Sequence, residues 1–98
     1  MKAAVLFEAN KPMPNVELDQ SEPKTGEVRV KMSAAGVCAS DHHVMTGDNP
    51  TPMPIVLGHE GSGVVDAVGP GVMSVKKGDR CVLSFVANCG YCRSCREG

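Results

Sequence analysis

Residues 58–72 read GHEGSGVVDAVGPGV, and this stretch decides how the chain is built. Val64, Val65 and Val68 are β-branched, and glycines bound them on both sides, so the stretch predicts a strand that ends in a tight turn at Gly69-Pro70-Gly71. Working outward, DNPTPMP (48–54) holds three prolines and predicts an extended, stiff loop. CASDHHVMTG (38–47) predicts a short helix stopped by Gly47. In PKTGEVRVKMSAAGV (23–37) a Lys-Thr-Gly turn is followed by alternation, with Val28, Val30 and Met32 on one face and Glu27, Arg29 and Lys31 on the other. MKAAVLF (1–7) and VELDQSE (16–22) predict further short strands, and SVKKGDRCVLSF (74–85) predicts a turn and another strand. No helix of ordinary length is predicted. The pattern is mainly β, a small barrel or sandwich with short helices.

The 98 residues suit one domain, and an apolar fraction of 42% supports a modest core that gains little from aromatic packing, since there is no Trp. A net charge of −1 argues against a nucleic-acid or anionic-membrane partner, both of which need a basic face. No apolar run approaches the roughly 20 residues that span a bilayer. The stretch MKAAVLFEANKP is interrupted by Glu8 and Lys11 and does not read as a signal peptide, so the cytoplasm is the expected compartment. In that reducing setting, closely spaced cysteines point to metal binding or catalysis rather than disulfides, and five is an odd number for a closed disulfide framework.

Two constellations carry chemistry. Cys38 follows a strand, and His59 lies on a separate segment behind the proline loop; a thiolate and an imidazole so placed begin a zinc site. Asp41 and Glu60 are the neighbouring carboxylates that could orient a metal-bound imidazole. The bland alternative keeps Cys38 as a small buried residue and His59 as a turn histidine. In NCGYCRSCREG (88–98), Cys89, Cys92 and Cys95 recur every third residue. Metal ligation and a CGYC redox motif compete there, and the redox motif lacks its βαβ setting. Cys81 reads as a core residue of its strand. The glycines do not form a dinucleotide fingerprint, because Asp66 stands where G-x-G-x-x-G needs its last glycine, and no Walker pattern exists. Gly58, Gly61, Gly63 and Gly69 read instead as positions of positive φ or close backbone approach.

The motif of Gly58, His59, Glu60, Gly63, Gly69 and Val72 resembles the signature of zinc-containing alcohol dehydrogenases of the medium-chain dehydrogenase/reductase superfamily. GVCASDHH (36–43), the GDRC of residues 78–81 and the cysteine run match the same family in order and spacing, over essentially the whole chain. The resemblance implies a GroES-like, partly open barrel, with residues 1–98 forming the N-terminal part of the catalytic domain and a structural-zinc lobe starting at 89–98. Cys38 and His59 would be ligands of the catalytic zinc, with a third cysteine ligand beyond Gly98. Asp41 would orient His59, and Glu60 would lie behind the metal and assist ligand exchange, or else be a buried carboxylate bonded in a turn. Ser40 and His43 would form the proton relay, the adjacent His42 being a surface residue. Cys89, Cys92 and Cys95 would hold structural zinc, its fourth cysteine again past Gly98.

NAD or NADP would bind a Rossmann domain absent from this chain, so the chain alone is expected to be inactive. The full protein would oxidise small alcohols to aldehydes or ketones by hydride transfer, as a homodimer or tetramer. One departure is Ala39, where many relatives carry a basic residue that pairs with the coenzyme pyrophosphate. Two rival readings are a zinc-free quinone or enoyl reductase and a non-enzymatic GroES-like interaction module.

Overall fold

The computed structural model describes residues 1–98. Strand β1 (Lys2–Ala4) pairs antiparallel with β2 (Asn15–Glu17), Ala3 lying opposite Val16. A second antiparallel sheet has the order β3-β4-β5, with β3 at Val28–Ala35, β4 at Gly61–Val68 and β5 at Arg80–Val82. Helices α1 (Ala39–Met45) and α2 (Arg93–Glu97) are short. The architecture is mainly β, as expected, with two open sheets rather than a closed barrel. The Cα radius of gyration, 15.5 Å, exceeds the about 12.5 Å typical of a compact chain of this length.

Local chemistry sets these boundaries. Ahead of β3, the Lys24 amide donates to the Glu27 carboxylate at 2.9 Å and Gly26 takes φ +78°. Between β4 and β5, Asp79 accepts from the Lys76 amide at 2.9 Å and holds the Lys76 ammonium at 2.9 Å, which keeps its carboxyl below the usual range. The glycine-bounded strand forms at Gly61–Val68, and β5 takes only three residues of its predicted segment. The VELDQSE strand shortens likewise, to a ladder ending at Glu17.

The alternation of β3 is broken by two register shifts against β4, between Arg29 and Val30 and between Met32 and Ala34. Val30 and Met32, opposite Val65 and Gly63, keep a common face, whereas Val28 pairs with Val68 beyond the first shift, so the two-faced strand expected from the sequence is only partly realised; Val28 and Met32 are 41% and 49% exposed. Buried apolar side chains are few: Val5, Leu6, Val44 and Val65, each contributing roughly 1.5–3 kcal/mol if fully removed from water. Cys81, expected in the core, is half-buried.

Gly63 is where β4 runs closest to β3. A Cβ there would collide with the Lys31 carbonyl oxygen and meet a Val30 methyl at 2.8 Å. Gly63→Ala is expected to cost about 1–3 kcal/mol, from overpacking against backbone that cannot retreat. Denaturant unfolding measures this, and an unchanged midpoint would contradict the close approach.

What positions the site is the pairing of Ala35 with Gly61 at one end of the β3–β4 ladder, extended by the Gly36 amide donating to the Glu60 carbonyl at 2.8 Å. The chain leaving β3 and the chain arriving at β4 are thus held side by side. The first carries Cys38 and α1; the second carries Gly58, His59 and Glu60.

Candidate metal centres

Cys38 is the N-cap of α1, with extended backbone (φ −102°, ψ 155°). Its amide donates to Asp41 Oδ2 at 3.0 Å, so the third helical residue reaches back to close the first turn. Asp41 is only 7% exposed, and its other oxygen lies 3.5 Å from His59 Nδ1. One buried carboxylate therefore holds both the start of α1 and the imidazole. With Nδ1 turned to Asp41, Nε2 is left for a ligand. Gly58 makes the approach possible with φ +121°, a conformation that side chains disfavour.

Ligand atoms of Cys38, His59 and Glu60 lie within 4.8 Å of one another. Bonds of about 2.3 Å to sulfur and 2.0–2.2 Å to nitrogen or oxygen give tetrahedral edges of roughly 3.4–3.8 Å, so an inward shift of about an ångström fits the three to one ion. Electrostatics point the same way. The Ser40 hydroxyl, then its amide, then His59 hold the Cys38 thiol below its ordinary value. Cys38 in turn pushes the His59 imidazole upward, partly offset by desolvation. A sulfur that readily carries charge beside an imidazole is a borderline-soft donor set, suited to zinc. Glu60 is exposed rather than buried in a turn, and its carboxylate belongs to this cluster.

The rest of the expected site divides. Ser40 sits against Cys38, while His43 Nδ1 lies 3.5 Å from Asp48 at the solvent side. His42 is exposed. Phe85 carries no sequence signal, yet its ring lies 5.4 Å from that of His59, centroid to centroid, tilted by 53°. Together with Val82 and Leu83 it lines a cleft of about 480 Å³ that opens on His59 and Glu60.

The second cluster gathers the three late cysteines. Cys92 and Cys95 sulfurs are 3.4 Å apart, and Cys89 and Cys95 sulfurs 3.9 Å apart, which brackets the roughly 3.8 Å edge of a zinc–thiolate tetrahedron. The Tyr91 and Cys92 amides donate to Cys89 Sγ at 3.4 and 3.3 Å and bring its thiol down to about 7. The Gly90 amide, then the Cys92 side chain, lower Cys95 as well. Helix α2, unpredicted, starts from Cys92 as N-cap and is clipped by the Arg93–Glu97 pair at 2.7 Å, a four-residue spacing that was its only sequence signal.

The fold sets Cys38 past the exit of β3 and His59 and Glu60 ahead of the start of β4, and gathers Cys89, Cys92 and Cys95 around the start of α2. Residues 24–98 match the family described as "Alcohol dehydrogenase GroES-like domain". Over 96 residues the chain is 58% identical to a Mycobacterium tuberculosis protein named "Putative alcohol dehydrogenase D", covering 98% of this chain and 26% of that one. It superposes on a solved NAD-dependent alcohol dehydrogenase with a TM-score of 0.85 at 40% identity, covering 99% of this chain and 29% of that one. A cobalt- and zinc-bound thermostable alcohol dehydrogenase from Pyrobaculum aerophilum gives 0.84 at 37% identity, covering 100% and 30%. The chain belongs to the alcohol dehydrogenase GroES-like domain family. It spans about a quarter of the length of the curated relatives it matches.

Proposed function

We propose that residues 1–98 are the N-terminal part of the catalytic domain of a zinc-dependent, NAD(P)-linked alcohol dehydrogenase acting on small alcohols and their aldehydes or ketones. The observation that carries this reading is the convergence of Cys38, His59 and Glu60, with Asp41 behind the imidazole. Cys38 and His59 would hold the catalytic metal, with Glu60 close enough to share it, and Cys89, Cys92 and Cys95 would hold a structural zinc in a lobe that starts at residue 89. When bound, zinc supplies Lewis acidity that lowers the pKa of a substrate hydroxyl. The Ser40 hydroxyl would accept the proton leaving the substrate as it gives its own toward His43, three residues further on the same helix, which would release a proton to water. Asp41 keeps a proton on His59 Nδ1 and so fixes the tautomer. Phe85, Val82 and Leu83 would give the cleft beside His59 an apolar wall against which the carbon skeleton of a substrate can lie.

The relatives named as alcohol dehydrogenases support the reaction class, and the zinc in the Pyrobaculum structure supports the metal. Coenzyme binding falls to parts of the protein outside these residues, and Ala39 offers no charge toward a pyrophosphate. The whole protein of which these residues would be part is tested by zinc analysis and alcohol-dependent NAD(P) reduction before and after chelation. Zinc at both sites and activity restored by zinc are expected. Turnover unaffected by removal of all metal would overturn the reading in favour of the zinc-free reductases.

Two smaller predictions follow from the same geometry. Asp41→Asn leaves the size of the side chain but withdraws its charge from His59, and should lower zinc affinity or activity about 10- to 100-fold. Competition with a chromophoric chelator reads this; an unchanged zinc affinity would release Asp41 from the role. The second concerns pH. The imidazole of His59 is raised, so its proton competes with the metal up to a higher pH than an ordinary histidine's. Zinc binding should therefore weaken as pH falls through this raised pKa, while the Cys38 thiol, held below its ordinary value, gives up its proton to the metal more readily than a free thiol. Zinc affinity that is flat across the histidine range would contradict the pairing.

A further inference from the structure

The three-stranded sheet carries a second depression, of about 390 Å³, lined by Ser33, Ser62, Val64, Arg80 and Val82 among others. We propose that this depression binds a small oxyanion, a phosphate or carboxylate group, through the Arg80 guanidinium and the hydroxyls of Ser33 and Ser62.

Register assembles the site. Lys31 and Arg80 both pair with Val64, from opposite sides, so the two cations share its face of the sheet. Ser62 stands two residues before Val64 and pairs with Val82, which places both on that same face. Ser33 stands two residues after Lys31 and so shares its face, and as the extra residue at the register shift between Met32 and Ala34 it lines the depression beside Ser62.

Charge completes the argument. No carboxylate lines the depression. The two acids on the neighbouring turn and strand are already engaged, Asp79 with Lys76 at 2.9 Å and Asp66 with Arg29 at 2.8 Å. None of the ion pairs in the chain uses Arg80 or Lys31. A free guanidinium fork with two free hydroxyls is a donor set that matches the acceptors of an oxyanion, and Val64 and Val82 offer an apolar wall to whatever carries it. The volume lies in the range of small-molecule sites. The residues that line it include none of the metal-ligand candidates, so the site is independent of zinc.

The test is an amide and Arg side-chain NMR titration of the purified protein with inorganic phosphate and, separately, acetate, at constant ionic strength. Saturable shifts centred on Ser33, Ser62 and Arg80 are expected with at least one of the two, the tighter naming the group preferred. Arg80→Gln should abolish saturation and Ser62→Ala should weaken binding about tenfold; dispersed amide spectra confirm that each variant is folded, and Ser62→Ala carries the test alone if Arg80→Gln is not. His59→Ala should bind as the parent does. Non-saturating drift, the same shifts with chloride, equal binding by the Arg80 and Ser62 variants, or loss of binding in His59→Ala would each overturn the proposal, the last by assigning the anion to the metal.

Discussion

In a His59→Ala variant of the whole enzyme proposed above, alcohol oxidation is expected to fall by about 10³-fold or more, with loss of one zinc and a melting temperature close to the parent's. The size follows from what a Lewis acid supplies to a hydroxyl, several kcal/mol, at roughly 1.4 kcal/mol for each factor of ten. The stability half of the expectation rests on packing. His59 is half-buried, its neighbours across the cleft are largely exposed, and the sheet pairing next to it is made by backbone. The side chain would therefore serve the proposed ion more than the fold. Two measurements separate the possibilities: metal analysis by mass spectrometry and steady-state turnover. A variant that keeps full turnover and its full zinc complement would remove residue 59 from the site, and with it the proposed mechanism.

Cys92→Ser is expected to act the other way, costing stability first. Cys92 is both a member of the sulfur cluster and the N-cap of α2, and residues 86–94 bury almost nothing. A segment with so little apolar burial has no core to hold it, and on the proposed reading coordination would supply its order, as it does in small metal-dependent domains where structural zinc is worth about 10–16 kcal/mol of apparent binding energy. Losing one ligand should cost about 3 kcal/mol or more and expose the segment around Tyr91 to proteases. Limited proteolysis with zinc stoichiometry checks this. Cleavage and metal content equal to the parent's would show that the sulfurs gather for another reason.

Much of this arrangement could be read from residue order. The strand at 61–68 was legible because β-branched residues sat between glycines, and the helix at 39–45 because a proline-free segment ended on Gly47. The residues that gather at the candidate centre were singled out because Cys, His, Asp and Glu occur in a spacing shared with a known family. What stayed hidden depends on partners distant in sequence. The bulges of β3 arise from its register with β4, so alternation alone could not show that Val28 lies across a shift from Val30 and Met32. Phe85 reaches His59 because β5 lies beside β4, a neighbourhood that local pattern does not encode. The exposure of Glu60 likewise follows from the backbone bond between Gly36 and Glu60, which turns that residue's carbonyl into the ladder.

Asp41 has a consequence of its own. Because its two oxygens grip the amide of residue 38 and the ring of residue 59, it works like the rivet of a pair of callipers. Any tilt of the helix is transmitted to the gap between the jaws, so the spacing of thiol and imidazole varies with the helix as a unit. Substitutions along the outer surface of that helix, far from any donor atom, should therefore retune metal selectivity without touching a ligand.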